Sequence, residues 1–461
     1  MTLVQSRLPR LNGNNLLIIL LILSGISSCA SSKITSSKQV ETVVIQKKNT
    51  ETVAINTKKK EDSITINPSS FDLDDNLNKN TSTNTKSTTY TNQNLTSDIN
   101  RIYNIAIILP FNLNQISLGQ YADDTTKQLK PDAKNAVEFY LGCQLAKEKF
   151  DNSDLKANVY FLDDNNDSTT LSQLFNQKPF PNVDYLLGPL NFKNLKQLAT
   201  YANKTQTTLI SPFANSMYIA NNPYYFNATP SLIQQYTYAL NQIHNKFPNQ
   251  SIDVLYDALD STAESINILK KLVNNNQHQL KVKYTSVQAS SNAAKLIATA
   301  DTLSNKTILI YSSKDTYIKS VVAKLKPSKN KLDIFTSANA RFIKALSDNK
   351  NPHSVYTVYP FNNDNSNYEA FASKFEEKYN KKPSEIAAQA FDILTHLLNT
   401  IDKKQTLQNN IYQYSTDFNN VHTKFRFEPV LDNEKNVDFY DNSFLYLYKY
   451  VNGTFVLETP N

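Results

Sequence analysis

Residues 102–111 read Ile-Tyr-Asn-Ile-Ala-Ile-Ile-Leu-Pro-Phe, a nearly unbroken apolar run that ends at Pro110. A strand with one face in solvent alternates apolar and polar side chains, whereas a strand covered on both faces does not. Proline cannot donate to a ladder, so Pro110 marks where the run stops. The spacing then changes. Over 131–150 the residues Ala136, Val137, Tyr140, Leu141, Leu145 and Phe150 recur at helical intervals. A second strand is expected at 158–162, after which Asp163, Asp164 and Ser168 supply turn and N-cap chemistry for the next helix. A third strand at 183–187, a helix at 191–202 and a fourth strand at 207–210 complete a βαβαβαβ order. That order implies a parallel, doubly wound sheet.

The same rhythm resumes further along. Strands are expected at 252–256, 282–287, 307–312 and 332–335, with helices near 231–245, 260–273, 292–303 and 314–325. A late strand at 355–361 precedes two helices, 367–379 and 384–401. In the tail, Asn452-Gly453 stands between the apolar runs 444–451 and 454–457, a strong hairpin signal. Two sets of four or five parallel strands suit two similar α/β lobes better than one oversized sheet.

Upstream of Arg101 the chain has a different character. Arg7 and Arg10 precede the apolar stretch 16–23, which is too short to span a bilayer, and no acid appears before Glu41. Small residues lead from Ser24 to Ser28, then Cys29. This resembles a bacterial lipobox, whose cysteine is acylated after cleavage and becomes the new N-terminus. Residues 30–100 are rich in Ser, Thr, Asn and Lys and poor in aromatics, a composition that cannot bury enough apolar surface to offset ordering entropy. A disordered tether is the expectation there.

Composition removes several function classes. The 461 residues include only 6 glycines, and neither GxGxxG nor GxxxxGK[ST] occurs, so Gly-rich phosphate cradles are excluded. The net charge of +7 is spread along the chain instead of forming a basic, aromatic-laced patch, so nucleic acid is not an expected partner. Five scattered histidines and two cysteines offer no convergent set for a metal, and no cofactor is expected. The run Asp163-Asp164-Asn165-Asn166-Asp167 lacks the Gly and Glu of an EF-type loop, with Ser168 and Leu174 in their places. It reads as a solvated turn. Cys143 reads as a small buried hydrophobe, and His396 as a packing or capping residue. No GxSxG elbow is present, and the chain is not expected to be an enzyme.

Ligands of open α/β sheets bind beyond the carboxyl ends of the strands. In the first half that rule selects 111–113, 188–191 and 212–215, including Leu190, Asn191, Phe213, Ala214 and Asn215. In the second half it selects Asp257, Ser312, Ser313 and 356–361, with Tyr359.

Tyr185-Leu-Leu-Gly188-Pro189 followed by Leu209-Ile-Ser211-Pro212-Phe-Ala214-Asn215 resembles the first lobe of type 1 periplasmic binding proteins of the leucine-binding kind. Residues 222–231 are similar to the segment by which those proteins cross into their second lobe, and 253–257 to the strand that opens it. Residues 371–384 with 387–392 resemble their late helix pair. The resemblance spans about 103–400 and implies two Rossmann-like doubly wound lobes, three crossovers and closure around a ligand. The family's amino-acid binders hold the ligand's charged ends with a Ser-Ser or Ser-Thr pair after the third strand and a Thr after the fourth. Here Leu190-Asn191 and Asn215 stand at those places, so amino-acid specificity is not carried over with the fold.

The expected organisation is a signal peptide at 1–28, a lipidated Cys29 with its tether to 100, a first lobe from 101–228 with 356–402, and a second from 229–355 with 403–461. The expected function is a lipid-anchored envelope protein that binds a small polar solute for transport or sensing. The alternative is an adaptor of the same fold that binds an envelope protein, such as an activator of peptidoglycan synthases.

Overall fold

The computed structural model describes residues 101–461 apart from 117–128, 152, 214–218, 249–250, 258–262, 276–279, 289–306, 313, 337–352, 404–419, 433, 452–453 and 459–461. The expected leader with Cys29, the tether, the helix near 292–303, the Asn452-Gly453 turn and the candidates Ala214, Asn215 and Ser313 lie outside the described residues.

Two seven-stranded sheets organise the chain. The first contains β1 (Ile102–Leu109), β2 (Lys156–Asp163), β3 (Tyr185–Leu187), β4 (Thr208–Ser211), β5 (Tyr225–Asn227), β11 (Phe427–Leu431) and β12 (Val437–Asn442), in the order β11-β12-β5-β4-β3-β1-β2. The second contains β6 (Ile252–Tyr256), β7 (Val282–Ser286), β8 (Thr307–Tyr311), β9 (Asp333–Thr336), β10 (Ser354–Tyr359), β13 (Tyr446–Val451) and β14 (Thr454–Leu457), in the order β14-β13-β10-β9-β8-β6-β7. Within each, five consecutive strands pair in parallel. The run at 102–111 behaves as its composition requires: Ile105 through Leu109 are fully buried.

Helices α1 (Pro131–Glu148), α2 (Ser168–Phe175) and α3 (Leu195–Thr205) link strands of the first sheet, while α4 (Leu232–Lys246), α5 (Ala263–Asn275) and α6 (Asp315–Leu325) belong to the second. Helices α7 (Ser366–Tyr379) and α8 (Glu385–Asp402) return to the first lobe, where Phe371, Phe375 and Leu394 join the core formed by β1 and α1. Side-chain caps mark the starts. Asp167 accepts from Thr170 N at 2.8 Å, Asn365 from Tyr368 N at 2.9 Å and Ser384 from Ala387 N at 3.2 Å. Helices α1 and α8 approach unusually closely at Gly142, where an added Cβ would lie 2.0 Å from the carbonyl oxygen of Ala387. Only a hydrogen fits. Cys143 is buried in the same seam, its Sγ 3.9 Å from Ala390 O, and burial pushes its thiol far above the usual range, which suits the packing role expected of it.

Three short segments connect the lobes: 228–231 from β5 to α4, 360–365 from β10 to α7, and 443–445 from β12 to β13. The partition differs from the expected one in two places. The strand at 354–359 belongs to the second sheet, so the first lobe resumes after it, at α7. The tail does not go wholly to the second lobe, because β12 pairs in parallel with β5 and stacks Tyr440 on Phe226 at 4.5 Å. Val421, Phe425 and Phe427 are buried in the first core as well. The polar residues at 432–438 mask that strand pair in the sequence. The hairpin β13–β14 pairs as read, and it extends the second sheet through β10.

Candidate ligand-binding cleft

The parallel strands of both sheets end on the side where the crossing segments run, and these ends define the candidate site. On the first sheet, the loop after β3 is brought against β1 by Gly188. Its φ of +125° and the 2.5 Å separation that a Cβ would have from Ile108 O admit glycine alone. The chain thereby delivers Leu190 and Asn191 over the end of β1, where the loop after β2 also arrives. Asn191 Nδ2 donates to Asn166 Oδ1 at 3.1 Å, joining the two loops.

The loop after β2 is not the solvated turn expected from its sequence. Asp164 is fully buried, and its carboxylate accepts from Asn166 N at 3.0 Å and Asn194 Nδ2 at 2.7 Å. Asp163 accepts from the backbone N–H groups of Asn112, Leu113 and Asn165 at 3.1, 2.8 and 2.9 Å, fixing the left-handed Asn112 after β1. Burial raises the pKa of both carboxyls, and these hydrogen bonds oppose the rise. Asp163, Asp164 and Asn166 of this run tie one strand end to its neighbours, and Asp167 caps the helix that follows.

On the second sheet, Ser312 is buried after β8, and its hydroxyl accepts from Lys314 N at 3.0 Å at the start of α6. Asp257 follows β6 and is half-buried. Tyr359, at the end of β10, is 4% exposed and donates to the carboxylate of Glu385 on α8 at 3.0 Å. It packs with Phe361 and Tyr448, and Phe213 from the loop after β4 joins that cluster from the first sheet. Of the expected residues, Phe213 and Tyr359 therefore meet, where the lobes connect. Leu190 packs at the margin of the first core. Asn191 and Ser312 are each tied to groups of their own lobe.

Two buried acids that sequence reasoning did not single out stand near the crossing segments, Asp441 and Asp392. Asp441, at the end of β12, accepts from Ser231 N at 3.1 Å, from the Ser231 hydroxyl and from Asn227 Nδ2 at 3.4 Å, holding the first crossing. Asp392 on α8 accepts from three successive backbone N–H groups, Val421, His422 and Thr423, at 2.8, 2.7 and 2.6 Å. Burial pushes both carboxyls up to about 7, against these hydrogen bonds. Asn442 spans the junction as well, donating to Ala228 O at 2.8 Å and Lys424 O at 3.0 Å. A polar residue after a strand is the whole of the signal in the sequence, which does not distinguish a strap from a loop. His396 is a packing residue as read: it is buried, lies 5.0 Å from the Phe425 ring, and burial lowers its pKa to about 3.

A family model described as periplasmic binding protein matches residues 116–410. Solved structures share the fold. A putative branched-chain amino acid ABC transporter from Rhodospirillum rubrum superposes with a TM-score of 0.57 at 14% identity, covering 78% of this chain and all of that one. An ABC transporter substrate-binding protein from Desulfitobacterium hafniense gives 0.50 at 15% identity, with 78% of this chain and 100% of its own covered. A branched-chain amino acid ABC transporter periplasmic ligand-binding protein from Burkholderia xenovorans gives 0.52 at 11%, covering 77% and 94%. No curated protein matches the chain in sequence.

Proposed function

The chain belongs to the periplasmic binding protein family, and from that premise we propose that it is a lipid-anchored envelope protein whose cleft takes a small polar solute for transport or sensing. One observation carries the reading. The loops that follow the strand ends on the crossing side carry polar residues, Asn112, Asp164 and Asn191 on the first sheet and Asp257 and Ser312 on the second. A cleft built to bury a solute needs a few oriented polar groups within an apolar wall. Leu190 and Phe213 supply part of such a wall. The leader supports the anchored form: its charged start, short apolar core and small-residue approach to Cys29 have the order of a lipoprotein signal. The reading assigns the protein binding and no reaction.

A second reading, the protein-binding adaptor, is favoured by one feature. Where the lobes connect, the space is occupied by the protein's own rings, Phe213, Tyr359, Phe361 and Tyr448. Both readings meet one experiment on the full-length chain and its Cys29→Ser variant. The parent should enter the detergent phase on partitioning and the variant the aqueous phase. The aqueous variant is then screened by thermal shift against amino acids, short peptides, nucleosides, amines, sugars and cell-wall fragments, because whatever binds only the native state raises its melting temperature. Equal partitioning of the two would remove the anchor from the reading. A screen with no shift would remove the solute and leave the adaptor.

A further inference from the structure

In the loops that follow β2 and β3, three amide oxygens are buried without a hydrogen-bond partner: Oδ1 of Asn165, Asn191 and Asn194. All belong to the loops after β2 and β3, which the Asn191–Asn166 bond draws together over the end of β1. Their orientation follows from a chain of donors and acceptors that starts at carboxylates, which only accept. Asn166 Nδ2 donates to Asp132 at 3.2 Å, so Asn166 presents its oxygen to Asn191. Asn191 must then give its amide hydrogens to Asn166, and its own oxygen is left over. Asn194, fully buried, repeats the pattern: Nδ2 donates to Asp164 at 2.7 Å and Oδ1 has nothing to accept. In Asn191 and Asn194 the amide nitrogen is committed within the cluster and the oxygen remains. A buried acceptor left unpaired is costly, and native structures keep few of them.

The charges nearby have the same sign. Asp164 is fully buried and Asp163 half-buried beside these amides, and Asp163 raises the cost of ionising Asp164. Lys193, between Asn191 and Asn194 in sequence, is exposed and acts on Asp167 at the outer turn. A carboxylate ligand end would set acceptor against acceptor here. We infer that this half of the cleft receives a cationic hydrogen-bond donor, a primary ammonium or a guanidinium, and that Asn191 Oδ1 is the group that accepts from it. The inference rests on the solute-binding reading and names the class of solute.

The test uses the full chain carrying Cys29→Ser and calorimetric titration with ethanolamine, cadaverine, agmatine, succinate, glucose and calcium chloride. At least one of the three amines should bind. Asn191→Leu should weaken that binding about tenfold or more, the range of a hydrogen bond to a charged group. Asn191→Leu also removes the donor to Asn166 Oδ1, so the unliganded variant is melted beside its parent and its binding is compared at a temperature where both are folded. Asn191→Asp, which keeps an acceptor and adds charge, should bind the amine at least as tightly and decides the matter if the leucine variant does not fold. Amine binding that survives Asn191→Leu unchanged overturns the inference. So does binding of succinate or glucose without the amines, which leaves solute binding intact, and so does calcium binding alone, which would make the oxygens a metal site. Silence from these six ligands and from the wider thermal-shift screen would overturn the solute reading and this inference together.

Discussion

The two sheets share a parallel core and differ in how it is extended. Beyond β5 the first sheet adds β12 in parallel and then β11, whereas beyond β10 the second adds β13 and β14, both antiparallel. The difference has a simple origin. Strand β12 runs with β5 and therefore finishes at the cleft, and only Ser443, Phe444 and Leu445 separate it from β13. A link that short leaves β13 no choice but to start at the cleft side of the second sheet and run away from it, against β10. The βα units repeat because each is local; the extensions differ because one chain has to cross between them. The first lobe also adds a late layer, α8, laid down after the chain has returned from the second lobe, and its contact with α1 depends on Gly142.

That comparison can be broken most forcefully at Gly142. Gly142→Val would force α1 from α8 against backbone atoms, so urea denaturation should show a loss of about 3 kcal/mol or more. A loss below about 1 kcal/mol would mean the close seam is not what holds the first lobe's extra layer. The junction can be sharpened through pH. Asp441 is held at about 7 in the fold, against about 3.9 in an unfolded chain, so between these values the native state binds more protons. Stability contributed by this group is full below about pH 4 and is lost as pH rises through 7, at up to about 1.4 kcal/mol per pH unit. Asp441→Asn should cancel that drift. Compared with the variant, the parent should lose about 3 kcal/mol of unfolding free energy between pH 4.5 and pH 7, measured by urea denaturation. Parallel stability curves would show that the junction acid does not take up a proton on folding. The smallest effect belongs to the second sheet's edge, where Lys246 on α4 meets Glu458 after β14 at 2.6 Å, both partly exposed. Glu458→Gln should cost less than about 1 kcal/mol, and less still at high salt. A larger loss would make the hairpin's attachment an ionic one.

The parallel cores were legible because burial on both faces writes itself as long apolar runs, and Ile102–Leu109 is the plainest instance. The same logic found the late helix pair and the terminal hairpin. It missed β5, a three-residue strand inside a segment that looks like a connector, and it missed β11 and β12 because Pro429 and the polar turn at 432–436 interrupt their pattern. At the candidate site the strand-end rule located Asn191 and Tyr359, but it contains no information about partners. Tyr359 turns its hydroxyl to Glu385, 26 residues on, and Asn191 reaches back 25 residues to Asn166. Asp163 and Asp164 were misread for a related reason: a run of acids and amides looks solvated until the neighbouring loops that bury it are known.

The place where β1 begins has a mechanical consequence. The chain enters at Ile102, at the end of β1 remote from the cleft, and β1 lies between β2 and β3 with parallel ladders on both sides. Arg101 adds an ion pair to Asp184, just before β3. A pull transmitted through the residues before Arg101 would load β1 along its length, so that its rows of hydrogen bonds to both neighbours are sheared together and not peeled one at a time. It would also draw on the side of the sheet away from the strand ends, leaving the mouth of the cleft pointing outward from whatever holds the protein down.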